Sequence, residues 1–322
     1  MTTKSRLLSF IIPVKDEQST LEVLAKNIIN IVKNLGHNFK AEIIFIDDGS
    51  KDRSWEVMCN LVALHDNVSA IRFRKNFGKA IALEAGFRHA AGEIVFTMDA
   101  DLQDDPSEIP KFIEALDSGF DLVSGWKKHR HDPISKTLPS RIFNKITAFT
   151  TGIVLHDFNC GFKCYRREVV DSIHLYGEMH RYTPVLANDF GYRIGEVEVL
   201  HHPRQHGKSK YGFERYIRGF IDLLTVLATT RWMNKPGHLF GGLGIASGIF
   251  GGSILAYLTI IWLGGVRPIG NRPFFFLGIL LCILSVQMIS LGIIAEFFIK
   301  SSNSNNVDRF IREKSKNLNP YS

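Results

Sequence analysis

The chain has 322 residues, enough for one large domain or two smaller ones, and its 45% hydrophobic and 22% charged content is near the globular average. Its formal net charge of +7 suits nucleic acid, an anionic membrane face or a phosphorylated substrate. Four cysteines, Cys59, Cys160, Cys164 and Cys282, read as free structural thiols, because no second Cys/His pair beside Cys160 and Cys164 completes a zinc pattern.

The opening stretch MTTKSRLLSFIIPVKDEQ has a short apolar run, no small-residue cleavage site and charged residues directly after it. It is not a signal peptide by these criteria, so the soluble part is expected in the cytoplasm. LLSFIIPV (7–14) is the first expected strand. STLEVLAKNIINIVKNL has helical spacing closed by Gly36, and AEIIFIDDGS (41–50) is the next strand and turn. SWEVMCNLVALH predicts a helix, VSAIRF (68–73) a strand, KAIALEAGFRHA a helix and GEIVFTMDAD a strand. PSEIPKFIEALDSG predicts a helix opened by proline, and FDLVSG a strand. This alternation means an α/β fold: a Rossmann-like, mostly parallel sheet with helices on both faces.

Ligands of such sheets bind beyond the carboxyl ends of the strands. Those ends carry Pro13, Asp16 and Glu17 after the first strand, and Asp47, Asp48, Gly49 and Ser50 after the second. RKNFGKA follows the third, and Asp99, Asp101, Gln103 and Asp104 follow the fourth. Neither G-x-G-x-x-G after strand one nor a P-loop is present. An extended chain would put Asp99, Asp101 and Gln103 on one side, where oxygen ligands suit Mg²⁺ or Mn²⁺. Such an ion completes its shell with phosphates, so a nucleoside diphosphate fits. Asp104 or Asp105, before Pro106, is the expected helix cap. An acidic rim repels nucleic acid, and the basic residues lie elsewhere, so no nucleic-acid partner is expected.

Residues 239–266 and 273–295 contain no charged side chain. Each run is long enough to cross a bilayer, and the Gly/Pro-rich GGVRPIGNRP between them predicts a helical hairpin, about 239–263 and 274–298. Gly244, Gly248 and Gly252 repeat at i,i+4, a small-residue face for close helix contact or self-association. Arg231 and Lys235 precede the spans and Lys300, Arg309, Arg312, Lys314 and Lys316 follow them, which predicts cytoplasmic chain ends. Stretches 139–155 and 213–232 read as basic amphipathic helices for the membrane interface. The expected organisation is a catalytic domain at 1–212, a juxtamembrane helix at 213–235, two spans within 236–299 and a polar cytoplasmic tail at 300–322.

FIIPVKDEQ, IFIDDGSKDRS, RKNFGKAIALEAGF and MDADLQDDP occur in the order and spacing of the family 2 glycosyltransferases of the GT-A fold, which the first 230 or so residues resemble. With the two spans, and with HDFNCGFKCYRREVV and HHPRQHGKSKYG, the chain is most similar to the polyisoprenyl-phosphate glycosyltransferases. These include the dolichyl-phosphate mannose synthases and the bactoprenol glucosyltransferases of the GtrB kind. The Q-x-x-R-W element of processive synthases is missing, which argues for transfer of a single sugar.

The resemblance implies that Pro13, Glu17, Asp48 and Lys79 line the nucleotide-sugar pocket, with Asp99 on ribose or sugar hydroxyls. Asp101 with Gln103 would hold the metal on the diphosphate. Asp157 becomes a catalytic or sugar-orienting carboxylate beside Asp99 and Asp101. The implied acceptor is a polyisoprenyl phosphate (undecaprenyl phosphate in the bacterial inner membrane), whose phosphate is already ionised and attacks directly, with inversion. Lys127, Arg130, Arg141, Arg204 and Lys210 are the cations expected to hold it. The implied donor is UDP-glucose, with GDP-mannose as the alternative. A non-catalytic membrane scaffold is the rival reading; the intact acidic motif argues against it.

Overall fold

The computed structural model describes residues 5–128, 144, 147–148, 151–175, 177, 179–202, 236–265, 268, 270 and 272–302. The chain falls into two compact units, Met1–Val226 and Leu227–Ser322. The amphipathic stretch 213–232 and most of 139–155 lie outside the described residues.

The first unit runs β1 (Arg6–Val14), α1 (Leu21–Asn34), β2 (Phe39–Asp47), α2 (Ser54–Leu64), β3 (Val68–Arg72), α3 (Lys79–His89), β4 (Ile94–Thr97), α4 (Ile109–Asp117) and β5 (Leu122–Trp126). It continues with β6 (Lys163–Arg166), α5 (Arg167–Ser172), α6 (Thr183–Asp189) and β7 (Ile194–Glu198). Every strand and helix expected up to β5 is present. The strands form one seven-stranded sheet in the order β3-β2-β1-β4-β6-β5-β7. β1 pairs in parallel with β2 and β4, β2 with β3, and β5 with β7. β6 runs antiparallel between β4 and β5, so the sheet is mixed. β6 and β7 escape a reading by periodicity because KCYR and IGEVE lack an apolar run.

The core is a layer of large side chains between the sheet and its helices. α1 buries Leu21, Leu24, Ala25, Ile28 and Val32, the i, i+3, i+4, i+7 stripe of an amphipathic helix. Phe10 stacks on Phe96 at 5.0 Å between ring centroids, and Phe112 meets Phe162 at 4.4 Å. Each such fully buried side chain contributes about 1.5–3 kcal/mol. Asp105 caps the turn before α4 by accepting from Ser107 N at 2.8 Å, with Pro106 following, so the expected cap falls to Asp105. All four cysteines are free, and burial pushes the Cys160 thiol up to about 12. Strand order reverses between β1 and β4, which opens a crevice at their carboxyl ends.

The second unit is an antiparallel pair, α7 (Pro236–Leu263) and α8 (Pro273–Ser302). Both are long and apolar enough to cross a membrane, with mean hydropathy 1.7 for Pro236–Leu263 and 2.5 for Pro273–Phe298. At 1.5 Å per residue α7 extends about 42 Å, more than the bilayer core requires. The helices touch along glycines. A Cβ on Gly244 would stand 2.9 Å from the Ser285 carbonyl oxygen, and one on Gly251 the same distance from that of Gly278. Gly248 fits against Ser285 in the same seam, whereas Gly252 meets nothing within 4 Å. The small-residue contact within the hairpin therefore follows i, i+4, i+7 rather than the expected strict i+4 repeat, because i+4 steps drift around a 3.6-residue helix.

Candidate active site

The carboxyl ends of β1, β2 and β3 are laced together by side chains that bind backbone. Asp16, at φ +53°, accepts from Lys51 N at 2.6 Å, and its own amide donates to Ser50 Oγ at 3.0 Å. Glu17 N donates to Ser54 Oγ at 2.9 Å. Asp47 accepts from Ser50 N at 2.7 Å and pairs with Arg72 at 3.1 Å. Asp48 accepts from Phe77 N at 2.7 Å and Gly78 N at 3.0 Å, which folds the β3–α3 loop over the end of β2. The approach is close: a Cβ on Gly49, at φ +69°, would stand 2.6 Å from the Lys75 carbonyl carbon. Burial raises the Asp48 carboxyl above its ordinary value, against the opposing pull of these two amides and Lys15. Pro13, paired with Ile46 in the β1–β2 register, is partly exposed at this rim. Beside it opens a cleft of about 650 Å³ edged by Lys15, Lys51, Arg72, Arg74 and Lys75.

β4 ends differently. The strand stops at Thr97, and Met98 N still reaches Ile11 O at 3.2 Å. The chain then turns rather than staying extended as expected. Leu102 sits at φ +59° and Asp101 Oδ1 accepts from Gln103 N at 3.2 Å. A leucine in the left-handed region costs energy, and such strain gathers at functional sites. The turn breaks the period-2 alignment of Asp99, Asp101 and Gln103, and the extended-strand expectation is corrected accordingly. Gln103 is held by its backbone, whose carbonyl accepts from His202 N at 2.9 Å, and by its amide, 3.4 Å from His202 O.

The carboxylates of this turn meet lysines. Asp99 is ion-paired with Lys79, the first residue of α3. Burial alone would raise the Asp99 carboxyl, but the ammonium groups of Lys79 and Lys127 outweigh it and hold it well below the usual range. A Cβ on Gly161 would stand 2.6 Å from Asp99 Oδ2, so only glycine lets the 157–162 segment lie against that carboxylate. Asp104 is buried and pairs with Lys127 at 2.8 Å. Burial disfavours the charged form of Lys127, yet Asp104 keeps it protonated. Lys127, expected on the acceptor phosphate, thus sits in the floor of the acidic turn with a side chain 12% exposed.

Asp157 is 1% exposed and accepts from Asn159 N at 3.1 Å. Arg130, Arg141, Arg204 and Lys210 lie outside the described residues. His202 Nε2 lies 2.9 Å from Asp105 Oδ2.

Two groups here were not singled out from sequence. Lys163, wholly buried on β6, donates to the carbonyls of Cys160 and Phe158, and burial lowers it to about 8. Its signal was a lysine inside an otherwise apolar GFKCY. His180, beside Lys79 and Asp99, is pushed well below its ordinary value by burial and by Lys79 and Arg181, and stays neutral. Histidine before arginine gave no distinguishing pattern.

A divalent ion is tested by the donors present. Among the described residues no three His, Cys, Asp or Glu side chains gather into a protein-only cage. Asp99, Asp104 and Asp105 each carry a cationic or imidazole partner, while Asp101 is partly exposed and engaged by its own turn. The set fits an ion of the magnesium type, which takes one or two carboxylates and fills its shell with water and substrate phosphates.

The model of Glycosyl transferase family 2 matches residues 9–173. A dodecaprenyl-phosphate galacturonate synthase of Rhizobium johnstonii is 36% identical over 299 residues, 91% of this chain and 88% of its own. An undecaprenyl-phosphate 4-deoxy-4-formamido-L-arabinose transferase of Aeromonas hydrophila is 34% identical over 298 residues, 92% of this chain and 89% of that one. Among solved structures, glucosyl-3-phosphoglycerate synthase of Mycobacterium tuberculosis, in complex with Mn²⁺, UDP and phosphoglyceric acid, aligns with a TM-score of 0.53 at 19% identity. The alignment covers 70% of this chain and 78% of that one, and it carries the GT-A-like fold. The chain belongs to glycosyl transferase family 2. It is a glycosyltransferase with a GT-A-like sheet, followed along the chain by two apolar helices.

Proposed function

We propose that this enzyme transfers one sugar from a nucleoside-diphosphate donor to a polyprenyl phosphate at the cytoplasmic face of a bacterial inner membrane. One observation carries the reading. The likeness to the galacturonate synthase extends over 299 residues, more than the 226 of the first unit, so it takes in both the acidic rim and the apolar helices. Nucleotide-sugar chemistry and lipid attachment are therefore shared in one chain.

The nucleotide end of the donor lies over the β1–β3 ends, against Pro13, Glu17 and the loop tied by Asp48, with the cationic cleft beside it. Cleft volumes of this size suit a small ligand. The diphosphate faces the β4 turn. Asp101, with Gln103, would hold Mg²⁺ or Mn²⁺, which supplies Lewis-acid neutralisation of the leaving diphosphate. Lys79 orients Asp99 toward the ribose or sugar hydroxyls, and Asp157 orients the sugar.

An acceptor phosphate oxygen attacks the anomeric carbon, the carbon–oxygen bond to the diphosphate breaks, and the electron pair leaves with the nucleotide. Inversion follows from the single displacement. A phosphate monoester is already largely ionised near neutral pH, so no strong general base is required. Positioning and charge neutralisation carry the rate. Arg130, Arg141, Arg204 and Lys210 are the cations for the acceptor.

The donor is UDP-linked in this reading. Glucose, the expectation from the motifs, stands beside galacturonate and 4-deoxy-4-formamido-L-arabinose, the sugars in the relatives' names. Purified full-length protein incubated with undecaprenyl phosphate and radiolabelled UDP-glucose, UDP-galacturonate, UDP-4-deoxy-4-formamido-L-arabinose or GDP-mannose, with and without Mn²⁺, tests this. One UDP-sugar should label the lipid fraction in a metal-dependent way. Labelling from GDP-mannose alone, or from no donor, would overturn it.

A further inference from the structure

We propose that Glu196 is a positioning residue for the transfer reaction, acting through Asp157; this rests on Asp157 being the sugar-orienting carboxylate. Glu196 stands on β7 directly beside Ser124 of β5 in the parallel register. Its side chain is 12% exposed. Oε1 accepts from the backbone N–H of His156 and of Asp157, each at 3.0 Å. Oε2 lies 3.2 Å from His156 N and 2.7 Å from His156 Nδ1. Ser124 Oγ donates to the Asp157 carbonyl at 3.3 Å. The His156 ring lies flat on Trp126, 4.2 Å between centroids and 17° between planes.

These contacts grip one peptide segment from two adjacent strands. The amide of Asp157 is tied to β7 and its carbonyl to β5, so its backbone has little freedom to pivot. Its carboxylate accepts from Asn159 N in the turn that follows. A largely buried carboxylate is costly to desolvate, and a position needed only for packing takes an apolar residue instead. Here both oxygens are spent on one dipeptide, through charge-assisted bonds stronger than neutral ones. Glu198, two residues on along the same strand, is half exposed and pairs with Lys128, as an ordinary surface ion pair does.

A carboxylate held this way keeps its distance to a bound sugar constant. Misplacement by about 1 Å can cost about 100-fold in rate without any direct contact being removed. Nucleotide binding sits at the ends of β1–β3, on strands that do not touch β7. Loss of the clamp should therefore lower kcat and leave the donor KM nearly unchanged, because an interaction with the reacting sugar is disturbed and nucleotide binding is not.

The test uses full-length protein in detergent, with initial rates and thermal melting for Glu196→Gln, Glu196→Ala, Asp157→Asn, Asp157→Asn/Glu196→Ala and Glu198→Gln. We expect kcat to fall about tenfold in Glu196→Gln and about 100-fold in Glu196→Ala, with donor KM within about threefold. Glu198→Gln should match the wild type. On the Asp157→Asn background Glu196→Ala should cost nothing further, since residues acting as one unit are non-additive. Equal losses on both backgrounds, a rise in KM at constant kcat, or full activity of Glu196→Ala would overturn the clamp while leaving Asp157 in its role. Full activity of Asp157→Asn would instead remove the role of Asp157, and the clamp with it. Should Glu196→Ala fail to fold, Glu196→Gln alone and on the Asp157→Asn background carries the same comparison.

Discussion

At the ends of β1, β2 and β3, Asp16, Asp47 and Asp48 accept from backbone amides and knit three loops into one platform. At the end of β4, Asp99 and Asp104 meet Lys79 and Lys127 instead. Both halves of the rim are acidic in sequence, but one builds loops and the other builds a charged floor around Asp101. A carboxylate bonded to amides keeps its role if it becomes an amide side chain, at modest cost. A carboxylate paired with a buried lysine does not, because its partner is left as an uncompensated charge.

Four measurements sharpen this contrast. The largest effect is expected for Lys127→Met, which strands Asp104 at 0% side-chain exposure. Breaking such a pair costs about 3–5 kcal/mol, seen as a fall in melting temperature of about 6–20 °C, and Asp104→Asn/Lys127→Met should recover part of it. A Lys127→Met protein melting like the wild type would erase the distinction between the halves. Next comes Asp101→Ala. Transfer should drop roughly 100- to 1,000-fold, and the residual rate should no longer respond to chelator. Full chelator sensitivity in that variant would move the metal elsewhere.

The third is a pH effect. Lys163 is lowered by burial from 10.5 to about 8, so between those values the unfolded chain binds more protons than the folded one. Stability should therefore rise as pH climbs from about 8 towards 10.5, by at most about 3 kcal/mol. Lys163→Met should flatten that slope in melting curves across the same range; an unchanged slope would assign it to other groups. The smallest effect belongs to the loop-building half. Asp48→Asn keeps an acceptor for Phe77 N and Gly78 N, and should cost about 1–3 kcal/mol with a raised donor KM. A loss of kcat matching that of Asp101→Ala would place Asp48 in the chemistry rather than in the platform.

Much of the site was legible because strand ends in a parallel sheet must converge. Asp47, Asp48, Asp99 and Asp101 follow apolar runs, and the fold brings the ends of those runs to one rim. Lys79 was legible as the lysine opening a helix. Leu102 was not, since nothing about a leucine announces a left-handed backbone. Nor was Lys127 legible as a buried partner of Asp104: in WKKH it reads as a cation for the acceptor phosphate, and the pairing spans 23 residues between different elements. Glu196 lies in IGEVEV beside a similar glutamate, and only the packing of residues 156–157 against β5 and β7 decides which of the two meets Asp157.

By itself the sequence determined the alternation of strands and helices, the acidic ends of the strands, the family motifs and the two apolar helices. Each depends on local periodicity or on residues close together in the chain. The tertiary structure decided what each charge is spent on: Asp48 on amides, Asp99 and Asp104 on lysines, Glu196 on the backbone of residues 156–157. A carboxylate's energy in a protein is set by the partners and the water around it, and those come from segments far away in sequence.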